Sequence, residues 1–424
     1  MLKEITISNF RSINNEITFT MEADSKRVTE FTNHIINLCD NDILKVSSMY
    51  GPNGGGKSNI IFALQLPKIL VFNNNQYSLG EPRTSICEFS DSDIISETLF
   101  FVTNDYEIGY KFDFIPKVIK QNTIAMNFNP GVINSFIVKN EMVSYRRKSE
   151  DEFYLLLERN DNGKIESEEL TELGINLKQP LAENMSAITY LFNTYANREG
   201  LDDNGLNVIK SLASEIAGIN LLEIDGPINL NIVEKVISNN KERLLKLLND
   251  VDIKISDIVI KTKDKNKTIL FERELVIDGK AVKKYLKLSD ESFGTQKIFW
   301  IFLNILATNS TDKTNIFLAD DMNAYLHPKL YRAIIELFNS DSNKNSQLIF
   351  NSHDILNMTN DLFRRDEIWF VYRDDNYSTC VVPLSNIVNY KGEQIRKDAK
   401  YYKQYLEGKY GADPFIARGL SWNE

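Results

Sequence analysis

Cysteine is scarce in this chain, since the 424 residues include only Cys39, Cys87 and Cys380. These three are odd in number, lie far apart and form no Cys-x-x-Cys pair. The sequence therefore indicates neither a disulfide framework nor a zinc site. A small number of unpaired cysteines is typical of proteins in a reducing compartment, and we expect a cytoplasmic protein.

Long apolar runs are also missing. No segment approaches the roughly 20 consecutive apolar residues that a membrane-spanning helix needs. The N-terminal residues MLKEITISNF alternate between apolar and polar types, unlike the continuous apolar core of a signal peptide. We therefore expect a soluble protein without a membrane partner.

The chain has no excess of positive charge. Its formal net charge is -10, which argues against a protein coated in nucleic-acid-binding surface, because phosphate contacts need clustered Lys and Arg. Three local groups are candidates for a basic patch: Arg146 to Lys148; Lys261, Lys263, Lys265 and Lys267; and Arg364 with Arg365. Charge runs in loops are more often solvated surface, so nucleic acid is a weakly supported partner.

A glycine-rich octapeptide is the most specific pattern present. Residues 51 to 58 read GPNGGGKS and fit the phosphate-binding loop Gly-x-x-x-x-Gly-Lys-[Ser/Thr] at every fixed position. Its glycines allow backbone N–H groups to turn towards the α- and β-phosphates, Lys57 can reach the β- and γ-phosphates, and the Ser58 hydroxyl can bind Mg²⁺. The pattern predicts that a nucleoside triphosphate and Mg²⁺ are bound by Gly51, Pro52, Asn53, Gly54, Gly55, Gly56, Lys57 and Ser58. The apolar segments on both sides favour a strand before the loop and a helix from Ser58 to Leu66 after it.

Two adjacent carboxylates follow a short apolar run. Residues 316 to 320 read IFLAD, so Asp320 stands at the end of a predicted strand, where a nucleotide-hydrolysing enzyme holds its metal. Asp321 follows directly and could orient the attacking water, although its side chain is one methylene shorter than that of glutamate. The alternative is a pair of helix N-cap residues without a chemical role.

Two further segments place polar residues where an anion could bind. Residues 291 to 296 read ESFGTQ and precede the apolar run KIFWIFLNILA, so Ser292 and Gly294 would lie at the start of a buried helix, a site for a γ-phosphate. A simple N-cap role for Ser292 is the alternative. His353 follows the strand-like QLIFN and would contact the γ-phosphate or a water. His327 is a weaker candidate that could simply lead into a helix opened by Pro328.

The order of the patterns predicts an α/β fold. Alternating segments from Leu2 to Phe19 and from residue 97 to 165 predict an antiparallel β lobe. Helical spacing follows from Leu181 to Val251, and a hairpin turning at Asp278 and Gly279 precedes three short apolar runs typical of buried parallel strands. We therefore divide the chain into an N-terminal part with the phosphate loop and the antiparallel β lobe (1–165), a helical insertion (166–260) and a C-terminal part that completes the same body as the N-terminal part (261–424).

Together, SNFRSI at residues 8 to 13, GPNGGGKS, ESFGTQ, IFLADDMNAYLHP and NSHD resemble the ABC-type ATPase heads of the RecF, SMC and OLD superfamily. The segments DEIWFVY (366–372) and YLEGKYGADPFI (405–416) further resemble the stand-alone RloA-like AAA/ABC-type ATPases of restriction-modification and abortive-infection loci. The resemblance implies an ABC-type P-loop NTPase head with a mixed sheet, an antiparallel β lobe and a helical insertion.

The resemblance also implies roles for individual residues. ATP would be sandwiched between the phosphate loop of one subunit, acting in cis, and Ser292, Gly294 and Thr295 of another, acting in trans. Lys57, Asp321 and His353 would be catalytic, with His353 as the switch histidine, while Ser58 and Asp320 would hold Mg²⁺. Relatives usually carry glutamate at the position of Asp321, so hydrolysis is expected to be slow. The glutamine that ABC-type ATPases usually place after the phosphate loop is not identified.

These expectations lead to one main functional hypothesis and two alternatives. The main hypothesis is an ATPase of bacterial anti-phage defence that forms a dimer or higher oligomer around ATP and controls a separate effector, such as a nuclease. The first alternative is a RecF-like DNA repair or maintenance ATPase that binds DNA. The second is a scaffold that binds ATP without hydrolysing it.

Overall fold

The structure is a computed structural model that describes residues 1–27, 29–72, 86–118, 133–175, 177–195, 204–222, 230–263, 266–277, 279–308, 313–388, 392–396 and 398–412. The strands are β1 (Leu2–Ser8), β2 (Ile17–Thr20), β3 (Ile35–Leu38), β4 (Asn41–Leu44), β5 (Val46–Tyr50), β6 (Ile95–Val102), β7 (Tyr106–Val118), β8 (Ile133–Arg147), β9 (Tyr154–Arg159), β10 (Ile165–Glu166), β11 (Ile219–Leu221), β12 (Asp257–Lys263), β13 (Asn266–Ile277), β14 (Lys280–Lys287), β15 (Asn315–Ala319), β16 (Ser346–Asn351), β17 (Ile368–Arg373) and β18 (Thr379–Pro383). The helices are α1 (Lys57–Ala63), α2 (Leu66–Phe72), α3 (Glu168–Glu172), α4 (Ala187–Tyr195), α5 (Asn204–Ala217), α6 (Leu230–Asp250), α7 (Phe293–Thr308), α8 (Pro328–Phe338) and α9 (Tyr401–Leu406). The predicted α/β class, with a mixed sheet, an antiparallel lobe and a helical segment, is confirmed.

The central sheet has the strand order β11-β15-β16-β5-β17-β18. All its pairs are parallel except the last, in which β18 runs antiparallel to β17. Every residue of β5, β15 and β16 is buried, as expected for apolar strands covered on both faces. Since β15, β16 and β5 are neighbours, their carboxyl ends bring residues 51, 320 and 352 to one edge of the sheet.

The second sheet is the predicted antiparallel lobe, with the order β10-β9-β8-β7-β6-β1-β2. The predicted N-terminal pair is present, with Ile5 opposite Phe19 and Ile7 opposite Ile17. One apolar cluster joins this sheet to α1, α2, α4 and α5, while a second surrounds α7 and α8. The central sheet lies between the two clusters, because its strands contribute residues to both.

The segment from α3 to α6 is helical, as predicted, but it also supplies β11, which pairs with β15. Strand β12 crosses the predicted boundary at residue 260, and the boundaries at 165 and 260 stay predictions. The predicted hairpin joins β13 to β14, and Gly279 in its turn has φ +74°. Its partner in the predicted turn, Asp278, lies outside the described residues, as do Lys265 and the end of the segment 405–416.

The helix after the phosphate loop is shorter than predicted. Instead of running from Ser58 to Leu66, α1 ends at Ala63 and α2 begins at Leu66. Pro67 explains the interruption, because it has no N–H to donate to Ala63 and fits the first turn of a new helix. In the part of the chain that the structure describes, no helix combines the length and apolar character needed to cross a bilayer.

Candidate functional site

The phosphate loop connects the end of β5 to the start of α1. Gly51 has φ +152°, and a Cβ atom there would lie 1.9 Å from the carbonyl oxygen of Val371 in β17. A Cβ atom on Gly56 would lie 2.1 Å from Oγ1 of Thr379 in β18. These two glycines are therefore required by the close approach of neighbouring strands as well as by the curvature of the loop. Their backbone forms the kind of cradle into which phosphate oxygens fit.

A chain of hydrogen bonds supports the loop from outside the motif. Thr379 Oγ1 donates to the Gly55 carbonyl oxygen at 3.1 Å and lies 2.7 Å from Ser12 Oγ. Asn59 Nδ2 donates to Ser12 Oγ at 2.6 Å, and Arg11 Nη1 donates to Asn59 Oδ1 at 3.2 Å. The sequence identified Arg11 and Ser12 only as part of SNFRSI, and nothing in it pointed to Thr379.

Lys57 is the first residue of α1 and is buried. Its Nζ donates to the carbonyl oxygens of Gly51 at 2.8 Å and Pro52 at 2.9 Å. Burial lowers the pKa of Lys57, and the charges of Asp321 and Asp320 oppose that shift. The ammonium group therefore lies in the loop, with both predicted carboxylates near it.

Asp320 follows β15 directly and contacts the phosphate loop. Ser58 Oγ donates to Asp320 Oδ1 at 2.8 Å, and the Asn351 side chain donates to the same oxygen. A hydroxyl oxygen and a carboxylate oxygen are ligands suited to Mg²⁺, which usually binds few protein groups and keeps waters and phosphate oxygens. The described residues contain no cluster of three or more His, Cys, Asp and Glu side chains that could hold a metal by themselves.

Asn351, the last residue of β16, also fixes Asp321. Its Oδ1 accepts a hydrogen bond from the Asp321 backbone N–H at 2.7 Å, and Asp321 has φ +46°. The N-cap alternative for the two aspartates is wrong, because α8 begins later, at Pro328, with His327 as its N-cap. The simpler role for His327 is thus confirmed. Asn351 was missed, although its place directly before Ser352 and His353 was a usable signal.

His353 lies beside Asp321, with Nε2 3.7 Å from Asp321 Oδ1, and both side chains are substantially exposed. Burial of part of the imidazole lowers the pKa of His353, as does the charge of Lys57, while Asp321 opposes the shift. The lowered pKa favours a neutral ring, which can donate one hydrogen bond and accept another. Asn323 holds this turn, since its Oδ1 accepts from the His353 backbone N–H at 3.0 Å.

Ser292 precedes α7 and is exposed. Its Oγ accepts a hydrogen bond from the Thr295 backbone N–H at 3.2 Å and lies 3.0 Å from Thr295 Oγ1. The N-cap contact proposed as the simpler alternative is therefore present. An N-cap serine on an exposed helix start still leaves open backbone N–H groups and the positive end of the helix facing outward.

The start of α7 packs on the turn that follows Asp321. A Cβ atom on Gly294 would lie 2.5 Å from the Tyr325 carbonyl oxygen, so glycine permits this close approach. Lys297 Nζ donates to the carbonyl oxygens of Asp321 at 2.9 Å and Ala324 at 3.2 Å. Lys297 is buried, and this burial lowers its pKa to about 8. Sequence reasoning missed this lysine.

The predicted residues thus fall into two groups. Ser58, Asp320, Asp321 and His353 lie together at one edge of the central sheet. Ser292, Gly294 and Thr295 lie across the turn of residues 321–325, and no hydrogen bond between described residues joins them to the phosphate loop. The first group could hold a metal and orient a water, and the second could receive an anion from outside.

Residues 46–358 match the family described as "AAA domain, putative AbiEii toxin, Type IV TA system". The chain belongs to this family. The matched range begins with β5 and includes both groups of candidate site residues. No curated protein matches the sequence.

Three solved structures are similar over most of the chain. They are an SMC head domain from Thermotoga maritima (15% identity, TM-score 0.40, covering 90% of this chain and 98% of that one), an SMC head bound to the C-terminal winged-helix domain of ScpA (14%, 0.37, 90% and 96%), and an SMC head with an extended coiled coil bound to the C-terminal domain of ScpA derived from Pyrococcus furiosus (13%, 0.35, 90% and 95%). The assignment to the family rests on the matched sequence range.

Proposed function

We propose that this protein is an ABC-type ATPase subunit that binds ATP with Mg²⁺ and hydrolyses it. The observation that carries the proposal is the meeting of Ser58, Asp320, Asn351, Asp321 and His353 at the mouth of a glycine loop. The loop backbone and Lys57 would bind the phosphates, and Ser58 and Asp320 would hold Mg²⁺. When bound, the metal neutralises charge that develops on the phosphates. Asp321 and His353 would orient the attacking water and contact the γ-phosphate.

The second group of residues supports a head-to-tail oligomer. Ser292 is exposed at a helix start, and the neighbouring Phe293 and Tyr325 side chains are 63% and 69% exposed with ring centroids 5.3 Å apart. Large aromatic side chains this exposed are more typical of an interface than of a solvated surface. A second subunit that docked its phosphate loop here would cover the aromatic pair and place its γ-phosphate at the start of α7.

The role in anti-phage defence rests on the family and on the resemblance to abortive-infection ATPases. The family description names a toxin of the AbiEii type. As the resemblance implies, a separate effector would carry out the destructive step, and the ATP-bound oligomer would act as its sensor or regulator.

One alternative has a specific observation in its favour. Asp321 lies in a left-handed conformation with its backbone fixed by Asn351 and Lys297, so its short carboxylate cannot easily move closer to a water. A scaffold that binds ATP without hydrolysing it would be consistent with this geometry. The RecF-like alternative has less support, because two of the three candidate basic groups are paired within the chain: Arg146 with Glu107 at 2.6 Å and Arg364 with Asp366 at 2.6 Å.

Two substitutions test the ATP-clamped oligomer. Lys57→Ala should abolish ATP binding, measured by fluorescence of a labelled nucleotide, because the loop loses its only fixed cation. Ser292→Arg should leave binding to the monomer intact and block ATP-dependent assembly, measured by light scattering. Ser289→Arg is the matched control, since Ser289 is also exposed and precedes α7. Normal assembly and hydrolysis by Ser292→Arg would show that the trans role is wrong.

Single-turnover kinetics separate the enzyme from the scaffold. A hydrolysing enzyme should convert bound ATP to ADP, and Asp321→Glu should speed this step. If wild-type oligomers keep their ATP intact while Asp321→Glu turns over, the scaffold interpretation is correct.

A further inference from the structure

The three-stranded sheet β12-β13-β14 is basic, although the chain as a whole is acidic. Its strands contain eight Lys and Arg residues against three Asp and Glu residues, whereas the formal net charge of the whole chain is -10. Such a local reversal of sign creates a positive field that attracts an acidic partner. The sheet takes no part in the ATP site described above.

Part of this positive charge has no acidic partner among the residues that the structure describes. Three cations are paired: Lys267 with Glu234, Arg273 with Glu291 at 2.6 Å, and Lys283 with Glu272 at 2.8 Å. In contrast, Lys280, Lys284 and Lys287 on β14 are exposed and form no ion pair with another described residue. Lys261 on β12 lies over the ring of Tyr285, with Nζ 4.7 Å from the centroid.

Strand β14 is also an open edge. It pairs with β13 along its whole length and with no other strand in the described ranges. The other edge strand, β12, is contacted by α6 through the Lys241–Asp257 ion pair at 2.6 Å. Free N–H and C=O groups on β14 therefore offer hydrogen bonds to an added strand.

Exposed apolar side chains lie in the same hairpin as these lysines. Leu275, Val276 and Ile277 at the end of β13 are 45%, 79% and 44% exposed, and Tyr285 and Leu286 on β14 are 46% and 40% exposed. Protein surfaces that bind nucleic acid are mainly charged and polar, whereas an interface with another protein can bury such apolar groups. The mixture of lysine, apolar groups and a free strand edge therefore favours a polypeptide.

We propose that β14 is a docking edge for an extended, acidic segment of a partner protein, which adds a fourth strand to this sheet. Lysines on an edge strand commonly prevent pairing with neutral or basic strands. The same lysines would accept a strand that carries carboxylates, so they give selectivity as well as attraction. Because β14 runs directly into the segment that carries Ser292, the docked strand would lie beside the helix start proposed to receive ATP in trans. The docking edge itself does not require the proposed ATPase activity.

The test uses the full-length protein and a fluorescent eight-residue peptide in which Glu alternates with Val. Fluorescence anisotropy should show binding that weakens as the salt concentration rises from roughly 50 to 200 mM. Salt ions screen the attraction between exposed charges strongly over this range. A peptide with Lys in place of Glu should not bind. The same acidic peptide with N-methyl groups along one edge should also fail, since it keeps the charge and loses the strand hydrogen bonds.

Charge reversal in the protein locates the site. The triple variant Lys280→Glu, Lys284→Glu and Lys287→Glu should bind the acidic peptide roughly 3- to 100-fold more weakly, because three exposed ion pairs with the peptide are lost. The control variant reverses Lys148, Lys329 and Lys403, which are exposed elsewhere, and should bind as wild type. Equal thermal unfolding of the two variants excludes misfolding.

Three outcomes would overturn the proposal. The first is no peptide binding, or equal binding by the N-methylated peptide. The second is binding of a duplex DNA of about 20 base pairs without binding of the peptide, with both probes tested over the same range of salt concentrations. The third is that the wild-type protein does not bind the peptide while the triple variant of β14 no longer self-associates. A second copy of this chain would then be the occupant of the edge.

Discussion

The sharpest prediction concerns Gly51, where the phosphate loop leaves β5. In Gly51→Ala, the new Cβ atom would lie 1.9 Å from the Val371 carbonyl oxygen, far inside the 3.4 Å at which ordinary contact begins. That oxygen belongs to the backbone of β17, which pairs with β5 through Tyr50 and Phe370. The overlap can therefore be relieved only by separating two strands of the central sheet or by rebuilding the loop.

The cost has two parts. A non-glycine residue at positive φ costs roughly 1–2 kcal/mol, and forced separation in a well-packed region costs about 1–3 kcal/mol. Gly51→Ala should therefore lower the free energy of unfolding by about 2–5 kcal/mol, measured by chemical denaturation. ATP affinity should fall as well, because a loop displaced by about 1 Å loses its fit to the phosphates.

Gly54→Ala is the matched control in the same loop. Gly54 has φ +76°, but a Cβ atom there meets nothing within 4 Å. Only the backbone part applies, so the loss should be about 1–2 kcal/mol with ATP binding retained. If the two variants were equally stable and bound ATP equally well, the reasoning from close strand approach would be refuted.

Three further predictions concern the residues around Asp321. Lys297→Met should keep ATP binding and slow hydrolysis on the order of 10- to 100-fold, because the turn loses its hydrogen bonds to the Asp321 and Ala324 carbonyls; unchanged turnover would contradict this. Asn351→Ala should have the same kinetic effect and also lower stability by about 0.5–1.5 kcal/mol, since the part-buried backbone N–H of Asp321 loses its acceptor. Because the pKa of His353 lies below its ordinary value, turnover should be constant near neutral pH and fall only below about pH 6.5 as the ring gains a proton. His353→Gln should abolish this fall in turnover at acidic pH. If the fall persists in the variant, another group is responsible for it.

Local patterns in the sequence were sufficient for much of the fold. The apolar runs of β15, β16 and β17 predicted buried parallel strands, and the phosphate loop fixed the position of α1. The end of α1 was less predictable, because Pro67 could either follow the last residue of a single helix or lie in the first turn of a new one. Pairing between distant segments, such as β11 with β15, has no local signal at all.

The candidate site shows the same division. Most residues within recognisable motifs were found. Asn351 was given no role although it lies within NSHD, and Lys297 and Thr379, which lie outside the motifs, were missed. Each of these three acts through a contact with a residue far away in the sequence, and two of them contact backbone carbonyl oxygens. Every residue has a backbone carbonyl group, so the residue type does not show which carbonyl accepts a hydrogen bond. Such partners can be identified only once the strands and helices are in place.

The contacts of Lys297 connect the two halves of the proposed ATP site within one subunit. Gly294 packs on the Tyr325 carbonyl oxygen, Phe293 contacts the Tyr325 ring, and Lys297 holds the Asp321 carbonyl oxygen. A displacement of the first turn of α7 must therefore also displace the turn that carries Asp321. In a head-to-tail dimer, Ser292 would contact the partner's nucleotide while Asp321 faced the subunit's own, so occupancy of one ATP site would alter the position of the catalytic carboxylate in the other.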